Sequence, residues 1–128
     1  MRRFAALPLL AALTCSGVLL GGCGQNAGLA LAQQACVHVH RSIALYDTSV
    51  HDPDAQRASA QRSAALAQLR RALPLAAQAN SADGTWDALM TAISESSRVD
   101  ESLLIVSLRA TCASADNSSS GFKITVPT

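Results

Sequence analysis

The sequence predicts an all-α fold, a small antiparallel bundle of four helices with the last two short, and three observations carry that expectation. Apolar residues recur at alternating intervals of three and four from Leu29 to Val50, the period of one helical face. Start and turn signals at Asp52-Pro53 and at Asn80 to Gly84 cut the rest of the chain into segments of helical length. Alanine, the strongest helix former, occurs 25 times in 128 residues, against a single lysine.

Ahead of the first helix, Arg2 and Arg3 precede an apolar run from Phe4 to Leu20, which ends in two glycines and a cysteine. This is the layout of an export signal. Leu20-Gly21-Gly22-Cys23 resembles the lipobox of bacterial lipoproteins. The resemblance covers residues 1 to 23. It implies cleavage before Cys23, a diacylglycerol on its sulfur and an acyl chain on its amine. Residues 4 to 20 include Pro8 and fall short of the roughly 20 that a membrane helix needs, so a cleaved signal over 1–22 is expected rather than a retained anchor. Three acyl chains exceed the two signals that stable anchoring requires. The resemblance thus implies a lipid bilayer as partner, at the extracytoplasmic face of the cell membrane. In a diderm host the outer membrane is implied, because Gly24 does not supply the aspartate of an inner-membrane retention signal. The alanine-rich, lysine-poor chain as a whole also loosely resembles small actinobacterial exported lipoproteins of unknown function, and that likeness assigns no active residue.

Once Arg2 and Arg3 depart with the signal, the ten basic side chains become eight, against nine acidic ones. No basic patch remains to favour nucleic acid as a partner. Cys15 leaves with the signal and Cys23 carries lipid, so Cys36 and Cys112 are the thiols left to an oxidising compartment. One intrachain disulfide between them is the expectation, with free buried thiols as the alternative. A domain of about 100 residues with a thin core gains from such a bridge.

Residues 23–28 read as a lipidated, flexible tether and residues 29–115 as the bundle domain. The first helix is expected over about 28–47, with Leu29, Ala32, Cys36, Val39, Ile43 and Tyr46 on one stripe. Asp52 as N-cap and Pro53 at the first helical position start a second helix over about 53–79. Leu66, Leu69, Leu73 and Ala76 face inward there, Ala58, Ala65 and Ala72 allow close approach, and Pro74 should kink or interrupt the helix. Asp83 or Thr85 caps a third helix over about 85–95.

Ser97-Arg98-Val99-Asp100 matches a capping box and starts a fourth helix over about 98–113, with Leu104, Leu108 and Cys112 at intervals of four. An unbroken helix from 85 to 113 would be about 42 Å long and would carry Cys112 far past Cys36, whereas disulfide Cα atoms lie within about 7 Å. A break near Ser97 that turns the last segment back removes the conflict. A three-helix bundle with a displaced first helix stays open as the alternative. So apolar a last helix is expected to be central. Residues 116–128 read as a flexible tail. Within it, Phe122, Ile124 and Val126 alternate in strand fashion, and disorder, packing back across the bundle and strand addition to another chain are the three fates open to it.

Few residues offer chemistry. His38 and His40 point about 200° apart on a helix and do not share a metal, and His51 has only Asp47 and Asp52 for company. No serine sits in a glycine-flanked elbow or a Ser-x-x-Lys arrangement. Glu95 and Glu101, the only glutamates, are expected to cap and solvate rather than to perform acid or base work. No cofactor and no enzymatic activity are expected. Trp86, the single tryptophan, is read either as an anchor closing one end of the bundle or as an exposed hot spot for a partner. Two functions follow. The first is a structural or protein-interaction role in the cell envelope, with alanine-lined faces meeting a second envelope protein. The alternative is a small carrier of apolar ligands at the membrane surface.

Overall fold

Four helices follow in up-down-up-down order: α1 Cys23–His51, α2 Ala55–Ala82, α3 Asp87–Glu95 and α4 Glu101–Ser118, with a short 3-10 turn over Gly84–Trp86 leading into α3. The computed structural model describes residues 23–118, and no strand occurs among them. The strand-like residues Phe122 to Val126 lie outside that range.

α1 and α2 form the backbone of the molecule, about 43 Å and 42 Å long at 1.5 Å per residue. Their seam is built from small side chains. Ala32, Ala35 and Ser42 of α1 meet Ala65, Ala72, Ala76 and Ala79 of α2, and all seven are sealed from solvent. Such a seam lets the two backbones approach closely. The Ser42 hydroxyl reaches the Ala65 carbonyl at 2.8 Å, and a Cβ on Gly28 would stand 3.2 Å from the Ala79 carbonyl oxygen. His38 and Gln68 join across the same antiparallel register at 2.8 Å. The alanines of this seam are therefore spent inside the fold, while others such as Ala30, Ala44, Ala60 and Ala64 remain exposed on the outer faces.

The larger side chains Leu69, Leu89, Ile93 and Leu108 fill the space between this hairpin and the two shorter helices. α4 runs antiparallel to α1. Cys36 and Cys112 are joined in a disulfide with Cα atoms 5.5 Å apart, and the Gln33 amide donates to the Ala115 carbonyl at 3.1 Å. The expected bridge is present, and so is the chain reversal near Ser97 that it demanded.

Several boundaries differ from those read in the sequence. The segment expected to be a tether is helical, because α1 begins at Cys23 and continues without a break through Gly28. At its other end α1 runs to His51, four residues past the expected end at about 47. Asp54, not Asp52, caps α2: its extended backbone lets Oδ1 accept the N–H groups of Gln56 and Arg57, both at 2.9 Å. Pro74 does not interrupt α2, and it lies exposed on the outer face. Asp83 ends α2 and also starts the 3-10 turn, accepting from the Thr85 N–H at 3.1 Å. Asp100, rather than Ser97, caps α4 by accepting from the Ser102 N–H at 3.0 Å. α4 extends to Ser118, past the expected start of the tail at 116.

α4 is also not central. Leu103 and Val106 are 74% and 78% exposed, and its buried stripe is Glu101, Leu108, Cys112 and Ala115. The α3–α4 turn lies beside Tyr46, Arg62 and Leu66, and Arg109 of α4 reaches Asp47 at 3.0 Å, so the last turn of α1 and the first turns of α2, joined through Asp52, form a short two-helix arm beyond these contacts.

Candidate functional site

Where the arm leaves the body, α1, α2 and the α3–α4 turn enclose a half-open cleft of about 280 Å³. Tyr46 comes from α1, Arg62 and Leu66 from α2, Val99 and Asp100 from the α3–α4 turn, and Glu101 from the start of α4. The helical register explains the set. Tyr46 lies four residues after Ser42 on α1, and Arg62 and Leu66 lie on the face of α2 that carries Leu69. Glu101 precedes Leu108, Cys112 and Ala115 at seven, eleven and fourteen residues, the inward stripe of α4.

Glu101 is 6% exposed. Its Oε1 lies 2.5 Å from the Ser42 hydroxyl, which in turn is 2.8 Å from the Ala65 carbonyl. One hydroxyl hydrogen cannot serve both acceptors. When Glu101 is ionised Ser42 donates to it, and when Glu101 is protonated the acid donates to Ser42, which is then free to donate to Ala65. Burial pushes the Glu101 carboxyl above its ordinary value, the Ser42 hydrogen bond opposes that, and the neighbouring Asp100 charge adds to it. Asp100 is held below the usual range by the Ser102 N–H and hydroxyl, with Arg62 contributing. The Arg62 Nε donates to the Ser49 hydroxyl at 3.3 Å. Among the described residues, no hydrogen bond is made to Glu101 Oε2, to the terminal nitrogens of Arg62 or to the Tyr46 hydroxyl.

At the tip of the arm Asp52 organises the turn. It accepts from the Asp54 N–H at 3.0 Å, from Arg57 at 2.6 Å and 2.8 Å, and from the Gln61 amide at 3.1 Å. Arg57 above all, then the Asp54 N–H, lowers its carboxyl to about 2.

The residues singled out in the sequence are scattered by comparison. Cys23 is the first residue of α1, and Cys36 and Cys112 are consumed in the bridge. Trp86 is 7% exposed, so it closes the end of the bundle near the start of α1 rather than offering a hot spot. Its indole Nε1 is buried without a hydrogen-bond partner, packed near Gly28. His38 pairs with Gln68, His40 with Asp116 at 3.1 Å, and His51 with the Asp47 carbonyl at 2.8 Å. No three of His, Cys, Asp and Glu gather at one point among the described residues.

Glu101 corrects a sequence expectation, since it is buried rather than solvated. The signal for it was in the register: read at Glu101, Leu104 or Ile105, Leu108 and Cys112, the apolar stripe of the last helix begins on an acid. The cleft offers hydrogen bonding and charge pairing.

No protein-family model matches the chain, and comparison with curated proteins and with solved structures gives no significant match.

Proposed function

We propose that the chain is an exported lipoprotein, held through acylated Cys23 at the extracytoplasmic face of a bacterial cell membrane, or at the outer membrane of a diderm host, with a structural or protein-interaction role in the envelope. One observation carries this reading: Cys23, which completes the lipobox-like run, is also the residue from which α1 rises. An acyl group there would sit at the foot of a rigid helix about 43 Å long, with the disulfide-tied body beside it and the α1–α2 arm at the far end. Among the described residues no helix is long and apolar enough to cross a membrane, and acyl groups on Cys23 would supply the anchor.

The surface turned away from the anchor favours contact with another protein over carriage of apolar ligands. Val50 on α1 and Leu103 and Val106 on α4 are more than half exposed, whereas the cleft is half-open and lined by charged and hydroxyl groups together with Leu66 and Val99.

Fractionation of cells expressing the full chain tests the anchor. Wild-type protein should pellet with membranes, resist extraction by high salt and carbonate, and come free in detergent. Cys23→Ala should leave a precursor that keeps residues 1–22 and never gains acyl mass. A wild-type chain that is cleaved but recovered without acyl groups in the soluble fraction would overturn the reading.

A further inference from the structure

We infer that the cleft between α1, α2 and the start of α4 binds a primary ammonium group, with Glu101 as its counter-ion. This stands on the cleft alone and is independent of whether Cys23 is acylated.

Glu101 is more than nine-tenths buried, yet it lines the cleft, and only one of its oxygens is used. Ser42, itself sealed from solvent, fixes Oε1 and so holds the carboxylate plane in place while Oε2 is left without a partner. A purely structural role would be met as well by a glutamine, without the cost of burying a charge. The other residues of the cleft wall also suit an ammonium. Its three N–H donors find Oε2, the Tyr46 hydroxyl and the hydroxyls of Ser96 or Ser102 as acceptors, and the Tyr46 ring supplies a π face. Two carboxylates, Glu101 and Asp100, outnumber the single guanidinium of Arg62 on the wall. The volume of about 280 Å³ takes a group the size of an amino acid.

Two sources share this chemistry. A free amino acid would place its ammonium on Glu101 and its carboxylate on the unused terminal nitrogens of Arg62. A lysine side chain of a partner protein would lay its methylenes on Leu66 and Val99 instead.

The test is a titration of the intact, oxidised chain with methylammonium, glycine, butylammonium and acetate, followed through the backbone amide resonances of Ser42, Glu101 and Ser102. Saturable shifts with the three amines and none with acetate are expected. Tighter glycine points to a free amino acid, and tighter butylammonium to a lysine side chain. Glu101→Gln keeps a hydrogen bond to Ser42 and should fold, yet should weaken the amines about 10- to 100-fold, the range for losing a charge-assisted hydrogen bond. Amine shifts that persist unchanged in Glu101→Gln, or the absence of any saturable amine shift in the wild type, would overturn the inference.

Discussion

Cutting the Cys36–Cys112 bridge should cost more than any other single change, and its cost follows from the span it closes. The two cysteines are 76 residues apart, and joining them removes roughly 15 cal/mol/K of chain entropy from the unfolded state, about 4.5 kcal/mol at 25 °C. Domains of this size are stable by about 5–15 kcal/mol in all, and here the seam between the two long helices is mostly alanine, which buries little area per residue. The double variant Cys36→Ala/Cys112→Ala should therefore lose a large share of its stability, a fall of roughly 20–35 °C in melting temperature. Urea unfolding with and without reductant measures the same quantity, and the slope should steepen on reduction because the freed chain expands further. Hydrogen exchange locates the effect. The α1–α2 hairpin is held along its whole seam, whereas the bridge is the one covalent tie of α4 to α1, beside polar contacts such as Gln33 with Ala115 and Arg109 with Asp47, so α4 should lose protection first. A loss under about 1 kcal/mol, or protection lost evenly across α1, α2 and α4, would refute the reasoning.

Three further outcomes follow from single residues. Glu101→Gln should raise stability at neutral pH by on the order of 1 kcal/mol, the charge-burial cost discounted because the carboxyl borders an open cleft, and should leave it unchanged in strong acid. The sign follows from linkage: the folded-state value is raised, so the wild type keeps this contribution below the unfolded value near 4.5 and loses it as pH rises, a loss that denaturant melts across pH would show to vanish in the variant. Asp52 has the opposite sign. Its folded value is lowered to about 2, so its contribution is complete above 3.8 and fades as pH falls towards 2, and Asp52→Asn should lower the melting temperature at pH 7 while flattening that acid limb. Gly28→Ala should destabilise despite the better helix propensity of alanine, because the added Cβ would meet Asp83 Cβ at 3.0 Å and the Ala79 carbonyl at 3.2 Å, both fixed by the end of α2. Circular dichroism melts would register a lower midpoint, and a higher one would show that the end of α2 yields.

How much of this was legible in the sequence depended on which physical signal was local. The four helices were legible from periodicity, and the disulfide together with helix geometry gave the reversal before α4. The caps lie two residues past Asp52 and three past Ser97, because both starts offer more than one capping side chain within a few residues and the choice between them is made by hydrogen bonds such as Arg57 on Asp52. The central position expected for the last helix failed for a related reason. Its sequence is apolar on every side, and only the packing of α1 on α2 decides that Leu103 and Val106 face outward. The cleft itself needed three elements far apart in sequence to meet, and Ser42 and Glu101 are 59 residues apart. Their membership of two inward stripes was visible, and their pairing was not.

The central claim, an acylated foot beneath a bridged helical body, is tested most directly by the intact mass of the protein purified from membranes without reductant. The expected species begins at Cys23, carries the added mass of acyl groups on that residue, and gains two hydrogens only after reduction of Cys36 and Cys112. A chain that begins elsewhere or carries no acyl mass would contradict it.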